Sequence, residues 1–160
     1  MRISFETPNQ PEVIALIADL DAYQDSLYPA EARYALDLAS LTRPHVLFAV
    51  ARNADDTAIG CGAVVLNHAY GEVKRMYVRP EARGLGIARQ IIDALESAAQ
   101  VRGCRTLMLE TGPYQAEALA FYARQGYVRC GPFGEYPEHP LSVFMSKNAT
   151  PESACARTEA

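Results

Sequence analysis

Arg83-Gly84-Leu85-Gly86-Ile87-Ala88 stands between a strand-like run, Glu72-Val73-Lys74-Arg75-Met76-Tyr77-Val78, and a helix-like run. In the second run Ile87, Ile91, Leu95 and Ala98 recur at near-helical spacing, and Gly103 is placed to stop the helix. Arg79-Pro80 punctuates the end of the strand. A strand, a glycine-bearing turn and a fresh helix N-terminus together make an anion site, because the first backbone N–H groups lack partners and the helix dipole favours negative charge there. Gly84 and Gly86 carry no Cβ, so an anion can approach the backbone closely, and Arg83 adds a positive charge. The ligand this pattern predicts is a diphosphate.

Two common diphosphate folds do not fit. A dinucleotide fold needs Gly-x-Gly-x-x-Gly, but the last position is Arg89 and no acidic ribose-binding strand end follows at the usual distance. A nucleotide-triphosphate loop needs Gly-Lys-Ser/Thr, which is absent. The run from Arg83 instead fits Arg/Gln-x-x-Gly-x-Gly/Ala and so is similar to the coenzyme A pyrophosphate signature of the GNAT N-acetyltransferase superfamily.

The bulk properties suit one soluble domain. A chain of 160 residues buries on the order of 70% of its unfolded surface. The formal net charge of −4 gives no basic footprint for nucleic acid. No apolar run approaches the ~20 residues needed to cross a bilayer, and Met1-Arg2-Ile3-Ser4 opens no signal peptide. Cys61, Cys104, Cys130 and Cys155 lie far apart without C-x-x-C spacing, reading as reduced thiols of a cytoplasmic protein, and no metal site is expected.

Outward from the glycine turn, hydrophobic periodicity predicts strand, two helices, three strands, helix, strand, helix, two strands. Ile3 to Glu6 is the first strand. A helix starts at Pro11 and runs to about Leu27 on a stripe of Val13, Ile14, Ile17 and Leu20. A second helix is expected over Glu31 to Ser40, then a hairpin of Val46–Ala51 and Ile59–Leu66 around Asn53-Ala54-Asp55-Asp56. Thr106 to Glu110 is an interior strand, Gln115 to Gln125 a helix stopped by Gly126, and Tyr127–Cys130 and Ser142–Met145 are strands. The helix between the Glu72 and Leu107 strands implies a right-handed parallel crossover at the sheet centre. The fold class is α/β: a single domain over residues 1–147 with a mixed sheet flanked by helices, and a frayed tail over 148–160.

The segment Gln115-Ala116-Glu117-Ala118-Leu119-Ala120-Phe121-Tyr122, ending in Gln125-Gly126-Tyr127, extends the likeness. GNAT enzymes commonly show Asn-x-x-Ala-x-x-Phe-Tyr followed by Gly-Phe here; this chain has Gln115 in place of Asn and Tyr127 in place of Phe. The resemblance covers residues 46 to 147. It implies a centrally parallel, splayed sheet and an acetyltransferase that uses acetyl coenzyme A as acyl donor. The donor would be held by Met76, Tyr77 and Val78, by the turn from Arg83 through Gly84, Leu85, Gly86, Ile87 and Ala88 to Arg89, and by Gln115. It also implies that the two central strands part after Met76, leaving backbone groups of Met76 and Val78 to bond the pantetheine arm and the thioester oxygen.

Acetyl transfer to an amine needs a polarised thioester, a neutral nucleophile and a protonated leaving thiolate. Tyr122 is the expected general acid, a phenol that stays protonated at neutral pH. An alkylamine is mostly protonated at pH 7, so a base must take its proton. Glu72 is the first candidate: strand alternation would put it with Lys74, Met76 and Val78 on one side, and some family members carry a catalytic Glu at the matching place. Glu110 and water are the alternatives. Direct attack in a ternary complex is expected rather than relay through Cys61. The acceptor pocket is expected from Tyr23 to Tyr28 and from the loop Phe133 to His139. Asp25, Glu135 or Glu138 would attract an ammonium there, Arg33 or Arg75 would hold a carboxylate, and His139 could assist proton removal. The acceptor expected is a small-molecule primary amine. A protein N-terminal or lysine acetyltransferase and a non-catalytic coenzyme A sensor are the rival readings. Dimers are common in the family, and a homodimer is compatible with the sequence without being compelled by it.

Overall fold

The computed structural model describes residues 1–34 and 36–148. Along the chain run β1 (Arg2–Phe5), α1 (Pro11–Leu27), a four-residue α2 (Leu38–Leu41), β2 (Val46–Arg52), β3 (Ala58–Leu66), β4 (Gly71–Val78), α3 (Ile87–Val101), β5 (Thr106–Thr111), α4 (Ala116–Arg124), β6 (Val128–Cys130) and β7 (Val143–Asn148). The strands form one seven-stranded sheet in the order β1-β2-β3-β4-β5-β7-β6. All neighbours are antiparallel except β4 and β5, the parallel pair that the intervening helix predicts.

Each face of the sheet has its own core. On one face Val64, Val73, Leu107 and Leu109 pack under α3, whose Ile87, Ile91, Ile92, Leu95 and Ala99 are buried. At about 2 kcal/mol per buried Ile or Leu, this stripe is the main force holding α3 in place, and with it the turn before α3. On the other face Phe48, Val50, Cys61 and Ala63 pack against Val13 and Leu16 of α1. Pro11 opens α1 as expected, but its buried residues are Val13, Leu16 and Leu20, while Ile14 is exposed. The stripe is narrower than the sequence suggests because Ile14 lies on the flank of α1 that meets solvent.

The helix expected over Glu31 to Ser40 does not form. A 3-10 turn at Ala30–Ala32 and the short α2 take its place, with Arg33 extended between them. The backbone carbonyls there have stronger partners than a helix would offer: Lys74 Nζ donates to Tyr34 O at 2.8 Å, and Arg75 Nη2 to Leu36 O at 3.1 Å. Asp37 then caps the Ser40 N–H at 2.8 Å and starts α2. At the other end of the chain β7 reaches Asn148; the rest of the expected tail lies outside the described residues. No helix among the described residues is long and apolar enough to cross a membrane.

One polar cluster fastens β1, α1 and β2. Arg52, 5% exposed, makes a two-pronged pair with Glu6 at 3.0 and 2.8 Å. It also donates to Glu12 at 2.7 Å, to Gln10 at 3.0 Å and to the Asp56 carbonyl at 2.7 Å. The guanidinium holds the Glu6 carboxyl down at about 2 against its usual 4.5. A depressed carboxyl contributes stability above its unfolded value and loses it as pH falls through the folded one. Wild-type stability should therefore decline between pH 4.5 and 2 in urea titrations. Arg52→Met should cost about 2 kcal/mol at pH 7, less than a deep-interior pair because the carboxylates keep some solvent, and should flatten that acid decline.

Candidate active site

The site begins where the sheet comes apart. β4 and β5 share only the pairs Gly71–Leu107 and Glu72–Met108. Separation therefore starts just after Glu72, four residues earlier than the expected parting after Met76. The cause lies in β4, where the register against β3 slips by one residue between Lys74 and Tyr77. Arg75 takes up the slack with a left-handed φ of 59°, a conformation that costs a non-glycine residue about 1–2 kcal/mol. The bulge also switches faces. Glu72, Lys74 and Tyr77 stay on the α1 side of the sheet, whereas Met76 and Val78 join the core under α3. The expected common side for Glu72, Lys74, Met76 and Val78 is thus wrong, since unbroken alternation does not survive a bulge.

Beyond the bulge the backbone is turned to use. Arg79 N–H donates to Ile59 O at 2.9 Å, so Tyr77 opposite Cys61 is the next bonded position and the polar groups of Met76 and Val78 face the gap. The Val78 carbonyl is taken by Arg83 Nε at 2.9 Å, and the Arg83 guanidinium lies 5.7 Å from the Tyr77 ring centre. Gly84 and Gly86 have φ of 80° and 76°, the left-handed region where L side chains are strained. A Cβ on either would meet nothing within 4 Å, so both are open to an incoming ligand. Gly86 is the N-cap of α3 and supplies no side-chain partner, which leaves the first-turn amides of α3 available to an anion.

These groups form the floor of a cleft of about 1030 Å³ between β4 and α4. From the β4 side it takes Met76, Tyr77 and Val78; from the turn, Arg83, Gly84 and Gly86; from α3, Ile87, Ala88 and Arg89. Gln115 closes the far side. Of the residues the sequence nominates for the donor, Leu85 alone is outside the lining, with its side chain 70% exposed to solvent.

A second, smaller pocket of about 120 Å³ lies further in. Leu20, Met76, Gln115, Ala118 and Tyr122 belong to both walls, so Tyr122 stands at the junction. Its position is fixed by the end of α4. Gly126, at φ 94°, lets the Tyr127 N–H return to Tyr122 O at 3.0 Å and the Gly126 N–H to Ala123 O at 3.1 Å. The turn sets the Tyr127 ring edge-on to Tyr122 at 5.6 Å, and Tyr127 in turn donates to Glu96 on α3 at 2.8 Å. Tyr122 is buried, which pushes its phenol above the ordinary value and keeps it protonated, and its hydroxyl has no hydrogen-bond partner among the described residues.

The candidate bases are placed differently. Glu72 accepts from the Tyr136 hydroxyl, pairs with Lys74 at 3.2 Å and is not part of either wall. Glu110 lines the inner pocket, and burial raises its pKa, opposed by Ser142 and Lys74. Cys61 is fully buried, with its thiol pushed up to about 12, and makes no usable nucleophile. Tyr28 lines the inner pocket and Tyr23 the outer cleft. The loop Phe133 to His139 lines neither; Leu141 does instead, and Tyr136 acts from behind through Lys74. His139 Nδ1 accepts the Leu141 N–H at 3.0 Å, a turn contact. Asp25 pairs with Arg33, and Glu135 and Glu138 are exposed.

Residues 13–127 match the family described as Acetyltransferase (GNAT) family. An "IAA acetyltransferase" of Azospirillum brasilense is 47% identical over 147 residues, 91% of this chain and 95% of that protein. The chain belongs to the GNAT acetyltransferase family. It is an acyltransferase, and acetyl coenzyme A is its acyl donor. A crystal structure from Klebsiella pneumoniae, assigned as an acyl-CoA N-acyltransferase, superposes with a TM-score of 0.83 at 41% identity, covering 93% of this chain and 97% of that one. An aminoglycoside 6'-N-acetyltransferase crystallised with coenzyme A shares the fold at a TM-score of 0.71 and 18% identity, covering 94% of this chain and 98% of that one.

Gly86→Ala puts a methyl into open space on a left-handed backbone, so its effect reads the turn and not a clash. It should cost about 1 kcal/mol in thermal stability and weaken acetyl coenzyme A in titration calorimetry. Wild-type affinity in a demonstrably strained variant would place the diphosphate elsewhere.

Proposed function

We propose that this chain is an N-acetyltransferase that moves acetyl from acetyl coenzyme A to the primary amine of a small molecule by direct attack in a ternary complex. The junction at Tyr122 carries the reading: the outer cleft meets the inner pocket at one buried phenol. The diphosphate lies on the amides at Gly84 to Ala88 with Arg83 and Arg89 beside it, and the acyl arm follows the gap along Met76 and Val78. Unpaired backbone N–H groups there are aimed where oxyanion charge develops. Acetyl coenzyme A supplies the thioester; everything else is done by this chain.

The amine occupies the inner pocket and loses its proton to Glu110, with Glu72 holding Lys74 and Tyr136 in place behind it. The amine nitrogen bonds to the carbonyl carbon and the carbon–sulfur bond breaks. Tyr122 donates its phenolic proton to the departing thiolate and is reprotonated afterwards. A phenol with a raised pKa gives most of its help as a hydrogen bond that strengthens while charge builds on sulfur. A pocket of about 120 Å³ suits a compact amine better than a folded protein surface.

A thiol-release assay across small amines, peptides and protein N-termini tests the assignment; release with peptides alone would favour the protein-directed alternative. Tyr122→Phe should lower kcat about 100-fold while leaving acetyl coenzyme A affinity in place. The unprotonated carboxylate is the active form, so kcat/KM should rise with pH through a value above the usual carboxylate range. Glu110→Gln should abolish that acid limb; if Glu72→Gln abolishes it instead, the base is Glu72.

A further inference from the structure

Three cations converge on the wall of the inner pocket, and their bonding is unequal. The Arg75 side chain is 7% exposed. It donates from Nη1 to Asp21 Oδ1 at 2.6 Å and from Nη2 to Leu36 O, but its Nε is buried with no hydrogen-bond partner among the described residues. Arg33, 14% exposed, uses the same Asp21 oxygen at 2.9 Å and Gln24 Oε1 at 3.1 Å. Lys74, also 14% exposed, holds Tyr34 O, the Tyr136 hydroxyl and Glu72. One carboxylate oxygen therefore serves two guanidiniums, and the carboxylates that pair with them, Asp21 and Asp25, are the more solvated members at 37% and 64% exposure.

A plain structural knot between α1 and β4 would leave no buried N–H spare and would not need a left-handed Arg. Here the bulge that opens the sheet is made by Arg75 itself, so the opening of the donor gap and the placing of this guanidinium are one event. A guanidinium with both terminal nitrogens engaged and its Nε still unpartnered, beside a second Arg and a Lys on one pocket wall, is suited to recognise a carboxylate. Glu110 and Tyr122 occupy the same small chamber and offer the opposite chemistry, a home for an ammonium at the donor junction.

We infer that the inner pocket is a carboxylate site and that the acceptor is a compact zwitterion of amino-acid type. Its carboxylate rests on Arg75, with Lys74 and Arg33 in support, and its amine lies between Glu110 and Tyr122. The inference rests on the N-acetyltransferase reading above and adds the substrate class. Arg75 is then a specificity-determining residue that takes no part in bond making.

Matched acceptors test this: free L-amino acids, their carboxamides and the corresponding decarboxylated amines, each followed by thiol release with wild-type protein. The free acids should show kcat/KM at least about 100-fold above their partners, because only they bring a charged acceptor to the unpartnered Arg75 Nε and the cations beside it. Equal rates across each trio would overturn the assignment while leaving N-acetyl transfer intact. No release from any amine would instead count against N-acetyl transfer. The pocket is then judged by calorimetric titration of N-acetyl amino acids and their methyl esters into coenzyme A-saturated protein. Binding of the acids alone supports the carboxylate site, and binding of neither or of both alike overturns it. Arg75→Lys, or Lys74→Met should the first not fold, should weaken the acids about 100-fold with coenzyme A affinity preserved; unchanged acid binding in a folded variant would also overturn it.

Discussion

Because β4 and β5 are joined by only two residue pairs, the middle of a seven-stranded sheet is left with backbone groups that have no strand to bond. Buried peptide groups without partners are costly, and proteins rarely tolerate them unless something else takes their place. At Val78 the carbonyl is answered by Arg83 from the following turn. The remaining groups line a cleft into which an extended amide-bearing chain can lie like an extra strand. The parting of the strands, the glycine turn at its mouth and the phenol at its root are consequences of one interruption in the sheet.

The interruption is kept rigid by packing on both sides. α3 is bound to the sheet by its Ile and Leu stripe, which fixes the direction in which its N-terminal amides point. α4 ends on a glycine whose geometry folds Tyr127 back against Tyr122, and Tyr127 is itself pinned to Glu96, where Lys147 from β7 also binds at 2.9 Å. The phenol at the junction is therefore oriented by ring packing and a backbone turn, with its hydroxyl left uncommitted. A side chain held this way is ready to donate without first breaking a bond to the protein.

Much of this was legible in the sequence. The order of elements, the parallel pair at the centre and the strand–turn–helix around Gly84 and Gly86 follow from hydrophobic spacing and the placing of glycine and proline. The bulge did not show, because its left-handed residue is an Arg, and only glycine advertises that conformation in a sequence. From that one omission came the errors about which side Met76 and Val78 face and where the strands part. The absent helix over Glu31 to Ser40 has a related cause: its carbonyls are claimed by Lys74 and Arg75, forty residues away in the chain, and local propensity carries no record of such a claim. The outer cleft was predictable from a short motif, whereas the inner pocket is assembled from α1, the segment after it, β4 and β5, and no contiguous stretch encodes it.

The extra residue at Arg75 makes the length of β4 part of the chemistry. Removing one amino acid there would restore an even pleat, with Tyr77 still opposite Cys61 and Val78 still opposite Gly60. Met76 and Val78 would keep their faces, but the Arg75 guanidinium and the kink it makes would be gone, and the strand could zip up against β5. A substitution can therefore alter the pocket one wall at a time, whereas a one-residue deletion in β4 would remove a cation from the pocket and close the gap beside it in a single step.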